Sequence, residues 1–135
     1  MPFMTMSHAV DPKELIWGEL GELKGIELFN NQVLLATYKR PEKTKSGIIL
    51  TDKHRDEDRY QSKVGLLIKL GPTAFEDNAE GWFSGEKFNI NDWLVHRPSD
   101  GWSINIHGVD CRILVDTQIK MRVSNPDQVW YWRNS

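Results

Sequence analysis

The sequence holds a single cysteine, Cys111, among its 135 residues. No intrachain disulfide can form, which fits a reducing compartment and excludes the disulfide-stapled class of small secreted domains. No apolar run approaches the ~20 residues that a membrane-spanning helix needs. The opening MPFMTMSHAVDPKE has no positively charged stretch followed by a long apolar one, so no secretory signal is expected. Charge of neither sign dominates: the formal net charge is −2 and the pI about 6.1. A dedicated nucleic-acid surface is normally basic, so that balance argues against one. Glycine-rich phosphate loops, G-x-S-x-G elbows, repeats and low-complexity tracts are all missing.

Tryptophan, by contrast, is plentiful, with six residues at 17, 82, 93, 102, 130 and 132. Aromatics of that size dominate core and interface burial, so some are expected to face other chains. A chain of 39% hydrophobic and 27% charged residues reads as one soluble domain with a modest core and extensions. The first ten residues read as a mobile arm unless something holds them. Asp11 then supplies a helix cap, Pro12 suits the first helical position, and Glu14 stands where a capping box has its acid. Ile16, Leu20 and Leu23 recur on one face, while Gly18 and Gly21 limit the element to a short helix or turn-rich arm.

Beyond residue 25 the pattern turns to strands. IELFNNQVLLATY reads as a strand, or a pair kinked at Asn30-Asn31, with Val33, Leu35 and Thr37 on one face and Leu34, Ala36 and Tyr38 on the other. VGLLIKL is a second, closed by Gly71-Pro72. Residues 73–87 form an excursion with an exposed-looking Trp82-Phe83. FNINDWLVH, then WSINIHG with the cleanest alternation, then a turn at Val109-Asp110, CRILVD and TQIKMRV complete about six short strands. Little helical periodicity remains, and the fold class predicted is all-β, a small barrel or sandwich.

Between the first two strands lies KRPEKTKSGIILTDKHRDEDRYQSK, residues 39–63, a polar excursion unusually long for a small domain. Its clustered carboxylates, Asp52, Asp56, Glu57 and Asp58, alternate with Lys53, Arg55 and Arg59, the mark of a solvated segment rather than of acids held at fixed separation. His96, His107 and Cys111 are too few and too scattered for a zinc site, so no metal and no cofactor are assigned. The tryptophans sit among acids, not among Lys and Arg, which disfavours a single-strand stacking platform. What stands out is the apolar triplet Ile48-Ile49-Leu50 behind Gly47. On residues alone two readings stay open: one more edge strand, or an apolar hook on a polar loop.

The order of strand, T-K-S-G-I-I-L-T, polar loop and strand ending Leu70-Gly71 resembles the GroES-type co-chaperonins. NNQVLLATYKR, VGLLIKLGP, FNINDWLVH and CRILVDTQIKMRV are similar to that family's strands, and the likeness runs over about residues 26–123. The overall layout is most similar to phage-encoded co-chaperonin-like proteins. The resemblance implies a small GroES-like β-barrel at 26–123 with a mobile loop at 39–63 and a roof-type loop at 73–87 carrying Trp82 and Phe83. A 1–25 arm and an aromatic 124–135 tail flank it. It implies Gly47, Ile48, Ile49 and Leu50 as the chaperonin-binding residues, a GroEL-type partner and a ring, seven-membered in the family. No catalysis is implied, since ATP belongs to the partner. Ile26, Leu28, Trp130 and Trp132 are the candidate assembly contacts. Departures are the single glycine before the triplet, Asn91-Asp92 where the family has Gly-Asp, and the longer roof excursion.

The alternative is a structural virion or capsid-associated protein on the same fold, with coat proteins as partners and the arm and Trp-rich tail as assembly surfaces. Cytoplasmic location, the host's for a phage protein, goes with the first reading, and the virion with the second. Neither involves nucleic acid or membrane. A co-chaperonin-like dehydrogenase domain is not expected, since no dinucleotide-binding pattern is read in these 135 residues.

Overall fold

A computed structural model describes residues 10–39, 49, 63–77 and 80–129. One short helix, α1 (Pro12–Leu20), precedes six strands: β1 (Gln32–Thr37), β2 (Val64–Leu70), β3 (Trp93–Val95), β4 (Trp102–Ile106), β5 (Val109–Val115) and β6 (Met121–Val123). They form one antiparallel sheet in the order β4-β5-β1-β2-β3-β6, the all-β class expected. A bulge between Leu34 and Leu35 shifts the β1–β2 register.

The central strands are buried on both faces, which is why VLLA and VGLLI read as continuous apolar runs instead of alternations. On one face Leu34, Ala36 and Tyr38 pack with Leu66, Ile68, Trp93, Val95, Val109 and Cys111. On the other, Val33 and Leu35 pack with Leu67, Leu94 and Leu114. The first face is covered by the arm: Leu20, Leu23 and Leu28 are buried in it, and Ile16, Trp17 and Ile26 pack against it. The second is covered by Phe75, Phe88 and Ile119.

The arm is a formed element. Asp11 Oδ1 accepts from the Lys13 N–H at 2.9 Å, Pro12 opens the helix, and the Gly21 N–H donates to Trp17 O at the far end. Two long-range bonds then fix α1 to the sheet. Trp17 Nε1 donates to Asn91 Oδ1 at 2.6 Å, and His107 Nδ1 lies 2.6 Å from Leu20 O, so that nitrogen carries the proton. At the end of β2, Gly71 donates to Gln32 O and lies so close to Asn30 that a Cβ would collide with its carbonyl.

Several strand limits differ from the sequence pattern. β1 starts only at Gln32, because Asn30 takes φ 53° and turns the chain. The strand read in FNINDWLVH is confined to Trp93–Val95, since Asn91 sits at φ 80°. The β4–β5 turn is His107-Gly108, so Val109 and Asp110 already belong to β5. The clean alternation of WSINI does not mark a covered face: β4 is an end strand, and Trp102 and Ile104 are 76% and 40% exposed.

Candidate functional site

The charged excursion leaves the sheet after β1 and returns at β2, and its two ends are bonded side by side. Thr37 pairs with Gly65, the Tyr38 N–H donates to Val64 O at 3.1 Å, and the His96 N–H donates to Lys63 O at 2.8 Å. Lys39 Nζ makes an ion pair of 2.5 Å with Asp110 Oδ2 at the start of β5. Tyr38 is buried, sets its ring edge-on to Trp93 at 5.6 Å and 74°, and donates its hydroxyl to Asp127 Oδ1 at 2.5 Å. The root of the excursion is thus rigidly placed at one end of the sheet.

Of the four residues the sequence singled out on the excursion, Ile49 is described: a single bridge residue, 72% exposed. Gly47, Ile48 and Leu50 lie outside the described residues. An isoleucine exposed to that degree withholds most of the ~1.5–3 kcal/mol that its burial would contribute.

The second excursion, 73–87, is a folded unit as far as it is described. Phe75 stacks on Phe88 at 4.0 Å, and Phe83 stands edge-on to both, at 5.4 and 5.9 Å. Asp77 ties the chain by accepting from the Phe83 and Gly85 N–H groups, each at 2.5 Å. Arg122 of β6 lies over the Phe88 ring at 4.9 Å, pairs with Glu86 and donates to Lys87 O. Trp82 is held outward at 57% exposure, whereas Phe83 is half-buried in the aromatic cluster. Among the candidate assembly contacts, Leu28 is buried in the core of its own chain and Ile26 packs half-buried beside it. Trp130 and Trp132 lie outside the described residues.

A buried polar cluster that sequence reasoning missed holds the β3–β4 loop. Arg112, on β5, sends Nη1 to Pro98 O at 2.6 Å and Asp100 O at 2.7 Å. Asp100 accepts from Arg97 Nε at 3.1 Å, and His96 Nδ1 donates to Arg97 O at 2.8 Å. Burial lowers the His96 pKa, with the Arg112 charge adding to it, while the Arg97 bond and Asp100 oppose. Burial likewise lowers that of Arg112. Gly101 takes φ 79° against the Ile113 carbonyl, a place only glycine fits. A buried charge has no signature in a sequence until its carbonyl partners are placed.

These contacts build loops; they do not assemble a reacting centre. Cys111 is buried, and burial pushes its thiol up to about 12, far from a thiolate nucleophile. His96 and His107 each face a backbone carbonyl. Among the described residues no cluster of three or more His, Cys, Asp or Glu is placed to hold a metal ion, and no helix is long and apolar enough to cross a membrane.

Comparison with known proteins gives one family. The model of the chaperonin 10 kDa subunit matches residues 25–123, from just before Ile26 to the last residue of β6. A search of curated proteins returns no match. α1 and the Pro126–Gln128 turn lie outside the matched span, while the sheet, the charged excursion and the aromatic excursion lie inside it. Co-chaperonins of this kind are not enzymes, and their partner is a chaperonin of the GroEL type. An antiparallel sheet with a long polar excursion, matched over most of its length, places this chain in the chaperonin 10 kDa subunit family, the GroES co-chaperonins.

Proposed function

We propose that the chain assembles into a ring, seven-membered as the family resemblance implies, that caps an ATP-dependent chaperonin and encloses a folding substrate. Gly47 permits the bend, Ile48, Ile49 and Leu50 enter apolar grooves at the chaperonin mouth, and the charged flanks keep the free loop soluble. ATP hydrolysis belongs to the partner, no cofactor is needed, and the ring works in the cytoplasm. Trp82 stands at the roof-type loop, and Ile26, Trp130 and Trp132 contribute to subunit contacts, while Leu28 is taken up by the core of its own chain.

The observation that carries this reading is Ile49, exposed at 72% on an excursion whose ends are pinned together. Full burial of the triplet is worth about 5–8 kcal/mol. Ordering some ten loop residues costs ~1–2 kcal/mol each, so a single loop binds weakly. Several loops on one rigid ring gain ~10²–10⁴ through effective concentration. Weak hooks presented together therefore make a strong but releasable cap.

The test is an Ile49→Asp variant, analysed for ring assembly by native mass and for capping by electron microscopy with a chaperonin and nucleotide. The ring is expected to persist while capping is lost. Capping equal to that of the parent would sink the proposal.

A further inference from the structure

We infer that the segment just past the family match, residues 124–129, is a strap that fixes the root of the charged excursion. Its role in presenting the loop rests on the proposed function; the strap itself does not.

The strap is a built structure. Asn125 Oδ1 caps a 3-10 turn, Pro126–Gln128, by accepting from the Asp127 N–H at 2.9 Å. Gln128 Oε1 folds back to accept from the Asn125 N–H at 3.1 Å and the Ser124 hydroxyl at 3.0 Å. Pro126 and Asp127 are buried, and Val129 packs against the core beside them. This turn delivers one carboxylate, 3% exposed, to the Tyr38 hydroxyl, 89 positions earlier in the chain.

The place it reaches gives the contact its meaning. Tyr38 is the first residue after β1, and its N–H closes the excursion onto Val64. Its ring rests on Trp93, which pairs with Leu66 of β2 and with Val123 of β6 immediately before the strap. Chain exit, chain return and strap therefore meet around one phenol. A buried carboxylate is costly unless hydrogen-bonded, so Asp127 holds Tyr38 firmly and is held by it. Lys39 and Asp110 make a second tether at the same root, but that lysine is 40% exposed and contributes less. The direction in which the excursion leaves the sheet is thereby set from beyond the family domain. Asp127 acts here as a positioning residue.

The experiment is native-state amide exchange on the full-length chain with Tyr38→Phe and, separately, Asp127→Asn. The expected result is exchange at the Tyr38 and His96 amides about 10-fold faster, with β4, β5 and α1 unchanged. Unaltered exchange at Tyr38 and His96 overturns the strap, and so does equal acceleration at every amide, which would mean only a less stable fold. In a second measurement, Tyr38→Phe is expected to weaken chaperonin capping about 10-fold with the ring intact. Faster root exchange with undiminished capping by Tyr38→Phe refutes the presentation role alone. Undiminished capping by Ile49→Asp refutes instead the proposed function on which that role rests.

Discussion

Replacing Arg112 by methionine tests the buried cluster that shapes the β3–β4 loop. Arg112 is 5% exposed, and its Nη1 donates to two carbonyls, Pro98 O and Asp100 O, at 2.6 and 2.7 Å. Hydrogen bonds from a charged donor contribute ~1.5–3 kcal/mol each, so losing both costs about 3–6 kcal/mol. Methionine keeps the apolar stem and removes a buried charge, which offsets ~1–2 kcal/mol. The net expectation is a loss of about 2–4 kcal/mol. At ~3–5 °C per kcal/mol for a domain of this size, the melting temperature falls by roughly 6–20 °C. Arg112→Lys should fall between the two, because a shorter, flexible stem does not fix its ammonium where Nη1 of the planar guanidinium reaches both carbonyls. Arg97→Ala is the control: its ion pair with Asp100 has the arginine side chain 67% exposed, and the expected cost is under ~1 kcal/mol. Urea unfolding of the three variants, at constant m-value, measures all of this. An Arg112→Met protein as stable as the parent, or Arg97→Ala costing as much, would refute the reasoning.

Two further outcomes follow from buried titratable groups. His96 has a folded-state pKa below its unfolded value of 6.5, so the unfolded chain binds the extra proton as pH falls. Its contribution to stability is therefore complete above pH ~6.5 and is lost progressively below that, and His96→Gln should flatten the slope of unfolding free energy in that acid window; an unchanged slope would contradict the burial argument. Cys111, with its thiol pushed up to about 12, should not react with Ellman's reagent in the native protein at pH 8 and should react fully in denaturant, so rapid native labelling would show that β5 opens.

Which parts were legible in the sequence follows from how far apart the cooperating residues lie. The α1 start needed only Asp11 and Pro12 side by side, and its burial only the three-and-four spacing of Ile16, Leu20 and Leu23. The faces of β1 also emerged correctly, Val33 and Leu35 against Leu34, Ala36 and Tyr38, because a period of two is local. What period two does not reveal is what lies over a face, and Trp102 and Ile104 on the end strand β4 are exposed for that reason. Phe83 was read as exposed together with Trp82; its partners Phe75 and Phe88 stand 8 and 5 positions away, and only the Asp77 knot folds them together. Arg112, Asp100 and Asp127 resemble surface residues until their long-range partners are in place. Ile49 was the opposite case. An isoleucine among charges is conspicuous in a string of letters, and it stands out in space as well.

The bonded junction of Tyr38 with Val64 carries an evolutionary consequence. Because the two ends already touch, the sheet is indifferent to how much chain is spooled between them, and each doubling of that length adds only ~0.6 kcal/mol of closure entropy. Foreign peptides inserted there would leave the host fold standing. The junction is thus a natural socket, at which new binding specificities can be exchanged without renegotiating the rest of the molecule.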